Sequence, residues 1–176
     1  VNHHNFINDQ CHKISRDIIR FCLGHRAGTI ILGENKFWKQ NISMGTQNNQ
    51  AFVSMPFSLL KNMITYKAER EGIAVITQEE SYTSKADITA MDYIPVYGVD
   101  DEKADFSGMR IKRGLYRCSN GLVINADCNG AANIMRKAVP DAWKGTESFE
   151  FLALPEVSGF YELNPKSKSV RGIDAA

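Results

Sequence analysis

Residues 124–137 read INADCNGAANIMRK, and where the single acidic side chain of that stretch falls decides what the rest of the chain can build. Asp127 stands between an apolar run, Leu122, Val123 and Ile124, and a segment of helical composition whose first residues are small. The run opens after the turn signal Ser119, Asn120, Gly121, as a short strand does. Asn129 is a good N-cap for a helix over 130–137, which puts Asp127 just outside the positive helix end, where a negative charge is favoured. Taken alone, this is the setting of a capping aspartate. Taken with the strands upstream, it is an aspartate at the mouth of a sheet.

Working outward, Ile7, Cys11, Ile14, Ile18 and Cys22 recur at steps of four, three, four and four, the period of an amphipathic helix. Its other face carries Lys13, Arg16, Asp17 and Arg20, and Gly24 or Gly28 can end it. Thr29 to Leu32 (TIIL) then reads as a buried strand running into Gly33. Residues 35–50 are rich in Asn, Gln and Gly and read as a loop that packs through Phe37 and Trp38. Pro56 suits the first turn of a second helix, with Leu59, Leu60, Met63, Ile64 and Lys67 or Ala68 on one face and a stop at Gly72. Ile73 to Ile76 (IAVI) is another short buried strand, ending at residues 77–80.

Helix, strand, helix and strand, followed by an insertion, a further strand-like run and a helix, imply parallel pairing in an α/β sandwich. Ligands gather at the C-terminal ends of such strands. Gly33 and Glu34 follow the first strand, Glu79 and Glu80 the second, and Asp127 the third, so carboxylates from separate parts of the sequence can converge.

Composition sets bounds on partners. The 176 residues, 43% hydrophobic and 10% aromatic, suffice for one sizeable core. With 21 basic against 20 acidic residues the net charge is only +1, so nucleic-acid binding has to rest on local patches. Arg110, Lys112, Arg113 and Arg117 form such a patch, interleaved with Ile111, Leu115 and Tyr116. Read as a regular strand, it puts Arg110 and Lys112 on one face and Ile111 on the other, a ridge that tracks phosphates, or else a solvated edge strand protected by charge. Lys85, Lys36, Trp38 and Lys39 can extend the surface, the indole by stacking on a base. The four cysteines, Cys11, Cys22, Cys118 and Cys128, have no C-x-x-C spacing and read as reduced thiols. No run of 18 or more apolar residues and no secretory leader stands in the sequence, so a membrane partner is not expected. Residues 164–171 (NPKSKSVR) have the composition of a loose tail.

The pieces EESYTSK (79–85), GMRIKRGLYR (108–117), KFWKQ (36–40) and NNQAFVSMPF (48–57), with Asp127 in its D-x-N-G-A-x-N-I context, resemble in order and spacing the C-terminal half of TnpB. TnpB, or OrfB, is the transposon-encoded, RNA-guided DNA nuclease related to type V CRISPR effectors and to Fanzor proteins. The resemblance runs from about Asn5 to Pro140. It implies an α/β, incomplete ribonuclease H-like (RuvC-like) fold with a small β-rich insertion in place of a zinc ribbon: RuvC-like residues 1–80, an insertion over 81–121, a last strand and helix over 122–140, and a C-terminal tail over 141–176. It further implies a transposase-family endonuclease acting in the prokaryotic cytoplasm with guide RNA and target DNA as partners. Its chemistry would be two-metal phosphodiester hydrolysis with Mg²⁺.

Asp127 matches the last of the family's three acids, with Asn129 and Asn133 supporting the turn. The middle acid stands in many members where this chain has Gly33. In other lineages it has moved to the end of the next strand, the position of Glu80. Glu80 is therefore favoured and Glu34 is the alternative, with Glu79 a solvated neighbour. The first acid falls before Asn5. The chain, which opens on Val1 in a helical stretch, is thus expected to be a fragment or truncated product that does not cleave DNA by itself. A nuclease-inactive, RNA-guided repressor and an inactive transposon remnant are the rival readings. No zinc is expected, since Cys118 lacks a partner at Gly121 and residues 86–89 carry no cysteine pair. An apolar cluster of Tyr93, Ile94, Pro95, Val96, Tyr97, Phe106, Leu115 and Tyr116 would compensate.

Overall fold

The computed structural model describes residues 3–34 and 57–155. The predicted loop over 35–50, with Lys36, Trp38 and Lys39, lies outside the described residues, as does the tail segment 164–171.

Helix α1, His3–Gly24, buries Cys11 and Cys22 of the predicted stripe, but Ile7, Ile14 and Ile18 are only half-buried, and the buried face is completed by Ser15 and Ile19 instead. It ends at Gly24, one of the two expected glycines, but the left-handed residue of the turn that closes it is not a glycine. Arg26 takes the left-handed position (φ 55°), and Ala27 N–H donates to the Cys22 carbonyl at 2.8 Å, the closing bond of a Schellman turn. Helix α2, Phe57–Arg70, ends in the same motif with a glycine: Gly72 has φ 72°, and Ile73 N–H reaches the Ala68 carbonyl at 2.9 Å. The two helices are joined by the Lys67 ammonium, which donates to the His12 carbonyl (2.8 Å) and the buried Ser15 hydroxyl (2.6 Å).

Strands β1, Thr29–Glu34, and β2, Ala74–Glu79, pair in parallel in the register Gly33 to Gln78 and Glu34 to Glu79. Both are longer than their apolar runs, so Glu34 and Glu79 belong to the strands and Glu80 is the first residue beyond. Ile19, Cys22, Ala68 and Ile73 form the core of this half, with Ile30 and Val75 packed against it.

The second half is a three-stranded antiparallel sheet, β3 (Met109–Lys112), β4 (Leu115–Arg117) and β5 (Val123–Asn125), leading into helix α3, Ala126–Ala138. The strand before Asp127 therefore does not join the parallel pair; it follows β4 through the short turn 118–122, which fixes it as β4's antiparallel neighbour. Helix α3 packs against β1 and β2 as well as β4 and β5 and so links the two sheets. The second core contains Ile88, Tyr116, Cys118, Ile124, Ala126 and Ala132, and it takes Phe149 and Leu152 from a stretch with no sequence periodicity. Trp143 lies against it and donates its indole N–H to the Ala132 carbonyl at 3.0 Å. No helix among the described residues is long and apolar enough to cross a membrane.

Candidate functional site

Helix α3 begins earlier than its composition suggests. Asn125 is the N-cap, its side-chain oxygen accepting from Asp127 N–H (2.9 Å) and Cys128 N–H (3.0 Å). Asp127 is consequently in the first turn, exposed, with its charge at the positive helix end. Asn129, freed from capping, is fully buried, as is Asn133. Asn129 donates to the Ala86 carbonyl (2.8 Å) and accepts from Ile88 N–H (3.3 Å), while Asn133 donates to the carbonyls of Thr83 (3.0 Å) and Ala86 (2.8 Å). Those bonds fasten segment 83–88 along α3.

The two glutamates at the end of β2 have different fates. Glu79 is not solvated: its carboxylate accepts from Lys137 Nζ at 2.5 Å and from the backbone and hydroxyl of Ser81. Lys137 is nearly saturated, donating also to the carbonyls of Pro95 (3.0 Å) and Ser81 (3.2 Å). Burial opposes the charge on Glu79, but the Lys137 and Ser81 hydrogen bonds outweigh it, and its pKa is held below the ordinary carboxylate value. A carboxylate engaged in this way is structural.

Glu80 turns the other way and is half-buried. Its N–H donates to the Glu34 carbonyl at 3.2 Å, and its carboxylate lies over Gly33. A Cβ built on Gly33 would overlap Glu80 Oε2, stand 3.3 Å from Glu80 Cδ and meet Ile134 Cδ1 at 3.0 Å. No hydrogen bond or ion pair engages that carboxylate among the described residues. Glu34, in contrast, is exposed at the end of β1. The Lys61 ammonium, which sequence reasoning did not single out, donates to the Gly33 carbonyl and fastens α2 to the same strand end.

Ile134, against the Glu80 carboxylate, and Asp127 are seven residues apart on α3. They share one stripe of the helix, two turns or about 10 Å apart along its axis. That spacing was the signal available in the sequence for putting Asp127 and the strand ends on one side of the helix. Two carboxylates without partners among the described residues are hard oxygen donors of the kind magnesium takes. They are not a full set: among the described residues no group of three His, Cys, Asp or Glu side chains is placed to hold a metal ion.

The basic patch differs from its expected form. A β-bulge separates the pairs Arg110 to Tyr116 and Lys112 to Leu115, leaving Ile111 as the extra residue. Directly paired residues share a face and consecutive ones do not. Arg110 therefore lies on the face of the buried Tyr116, and Lys112 on the opposite face, with Leu115 and Arg117. The outer face thus combines Lys112 and Arg117 with Met109 and Val123, paired with Arg117 from either side and 63% and 37% exposed. Arg113 sits in the exposed turn before Gly114, and Lys85 is exposed with Nζ 5.6 Å from the Tyr82 ring centre. Tyr82 holds a left-handed backbone (φ 62°), and its hydroxyl donates to Asp101 at 2.6 Å, which pushes its pKa up to about 12.

Comparison with known proteins gives this fold its relatives. Residues 57–134, from α2 through most of α3, match the family described as Cas12f1-like, TNB domain. Over 143 residues the chain is 30% identical to the CRISPR-associated endodeoxyribonuclease Cas12f2 of Micrarchaeota archaeon (strain CG1_02_47_40), covering 76% of this chain and 24% of that protein. The chain thus spans about a quarter of the length of this curated relative. Its mixed α/β fold is similar to a chain of the cryo-EM structure of the Cas12f1-sgRNA-target DNA complex, with a TM-score of 0.54 and 19% identity, over 77% of this chain and 35% of that one.

Proposed function

We propose that the chain is the RuvC-like C-terminal portion of an RNA-guided DNA endonuclease of the TnpB and Cas12f kind, with Glu80 and Asp127 as two of its metal ligands. The observation that carries this reading is the Glu80 carboxylate over Gly33. It occupies the space that a side chain on residue 33 would enter, the position to which the TnpB resemblance assigns the middle acid. The similarity to Cas12f2 supports the class of activity.

In this reading Glu80 and Asp127 would hold Mg²⁺ together with acids from outside the described residues, and the bound ion would supply an activated water and a counter-charge for the leaving oxygen. Glu79 keeps the strand end in place through Lys137, and the neighbouring Glu80 carboxylate has no partner among the described residues. Lys112, Arg113 and Arg117, with Lys85, track phosphates of guide RNA or target DNA, and target choice is delegated to base pairing. The carboxylate set of the described residues, two rather than three, favours a second statement: the chain binds nucleic acid but does not cut it alone.

The test is a chimera in which this chain replaces the matching 143 residues of the Micrarchaeota Cas12f2. Guide-dependent DNA cleavage is expected, with loss of about 100-fold or more in Glu80→Gln and in Asp127→Ala and little change in DNA binding. Binding without cleavage in the unsubstituted chimera would favour the nuclease-inactive reading.

A further inference from the structure

The insertion between β2 and β5 must hold two turns together, the one at 86–89 and the one at 118–121. Those are the places where the TnpB resemblance puts zinc-binding cysteine pairs. A zinc ion does not fit the residues present, since Cys118 is the sole thiol there and is buried at the edge of the apolar core with its side chain hydrogen-bonded to Asp87 and Thr89. The expected aromatic compensation is partial. Tyr116 and Pro95 are buried, but Tyr93, Val96 and Tyr97 are 56%, 41% and 48% exposed.

The contact between the two turns is polar. Asp87 is fully buried. Its Oδ1 accepts from Thr89 N–H at 2.8 Å and the Thr89 hydroxyl at 2.7 Å, and its Oδ2 accepts from Ser119 N–H at 2.6 Å, across 32 residues of chain. The backbone of Asp87 is itself held by Asp92, whose carboxylate accepts from Asp87 N–H (2.8 Å), Ser107 N–H (3.0 Å) and the Ser107 hydroxyl (2.6 Å). Arg136 of α3 closes the network, donating to the Asp92 carbonyl at 2.6 Å. Donors from both turns converge on one anion, and N–H groups aimed inward repel a cation. Charge-assisted bonds of this kind are about twice as strong as neutral ones.

We propose that Asp87 is the anionic crosslink that closes the insertion without metal and that, on the reading in which Glu80 and Asp127 share a site, it is a positioning residue for them. Segment 83–88, which Asp87 anchors near its end, runs from the Glu80 turn along α3 toward Asp127, held there by Asn133 and Asn129. Losing the anchor at Asp87 frees that segment from the Ser119 turn and loosens the spacing of the two carboxylates.

Ser119 is an exposed residue, so an unbonded amide there would exchange with solvent as fast as any open turn. In the full chain, hydrogen exchange is expected to be slow at Ser119 and Thr89 and unaffected by a chelator, and Asp87→Asn is expected to speed both by about tenfold or more. Fast exchange at Ser119 in the unsubstituted chain, which needs no variant to fold, would overturn the crosslink, as would an unfolding midpoint that falls on chelation. For the positioning role, Mn²⁺ is the probe: its titration should broaden signals at Glu80 and Asp127 together in the unsubstituted chain, and Asp87→Asn should raise the concentration needed for the same broadening by about tenfold or more. Equal broadening in the variant would overturn that role. Absence of broadening in the unsubstituted chain would instead sink the metal site itself, with the exchange result still deciding the crosslink.

Discussion

The carboxylate of Glu80 and the missing side chain of Gly33 share one place in this protein. Glu80 Oε2 lies where a Cβ on Gly33 would be, with Ile134 Cδ1 3.0 Å from the same point. Any residue larger than glycine on position 33 must displace the glutamate. Because the obstructing atoms are ends of flexible side chains, Gly33→Ala should cost only about 1 kcal/mol in urea unfolding while moving Glu80. The check is a carboxyl-detected NMR spectrum, in which the Glu80 resonance should shift and that of Glu79 should not.

The Glu79 to Lys137 pair predicts a pH dependence. The Glu79 pKa is lower in the folded chain than its ordinary value, so the pair's contribution is complete above the ordinary carboxylate range, about 4, and is lost as pH falls through the depressed folded value. Urea midpoints measured down the acid range should therefore drop less steeply in Glu79→Gln than in the unsubstituted chain. Lys137→Met, which leaves the half-buried carboxylate without its ammonium, should cost about 1–3 kcal/mol at neutral pH.

Asn133→Ala should be among the more damaging single changes to stability. It takes the buried Asn133 donor from the Thr83 carbonyl and the Asn133 acceptor from Arg136, while Ala86 keeps its bond from Asn129, and a loss of about 1–3 kcal/mol is expected from the unsatisfied polar groups. Thermal unfolding measures it, and a change within error would show that these groups find other partners.

The bulge at Ile111 separates the effects of the basic residues on nucleic-acid binding. Removing both Lys112 and Arg117 should lower affinity for all sequences alike and reduce the slope of log affinity against log salt by about 1–2. Arg110→Ala should change affinity and slope far less, because its side chain projects from the other face of the sheet. Loss confined to one nucleic-acid sequence would contradict phosphate tracking.

Periodicity was enough to read α1, α2, β1 and β2 and the parallel pairing of the strands, because apolar runs of helical or strand length are written directly in residue order. It was not enough for β5. A three-residue strand such as Val123–Asn125 joins whichever neighbour the turn before it presents, and that choice is tertiary. The same holds for the start of α3, where Asn125 and Asn129 are both competent caps and burial of Asn129 against Ala86 selects the first. Which of Glu79 and Glu80 is structural could not be read either, since Lys137 lies 58 residues away. The bulge left no mark, as Arg-Ile-Lys alternates like an ordinary strand. Of the two glutamates that the resemblance offered as the middle acid, Glu80 lies over Gly33 and Glu34 is exposed at the end of β1.

The most direct test of the account is to move the carboxylate back across the contact. In the Cas12f2 chimera, Glu80→Ala should abolish guide-dependent cleavage, and adding Gly33→Glu should restore it to within about tenfold of the starting rate, since both positions deliver a carboxylate to one place. Full activity in Glu80→Ala, or a double variant that folds and binds DNA but stays inactive, would contradict the claim that Glu80 does the work of an acid at position 33.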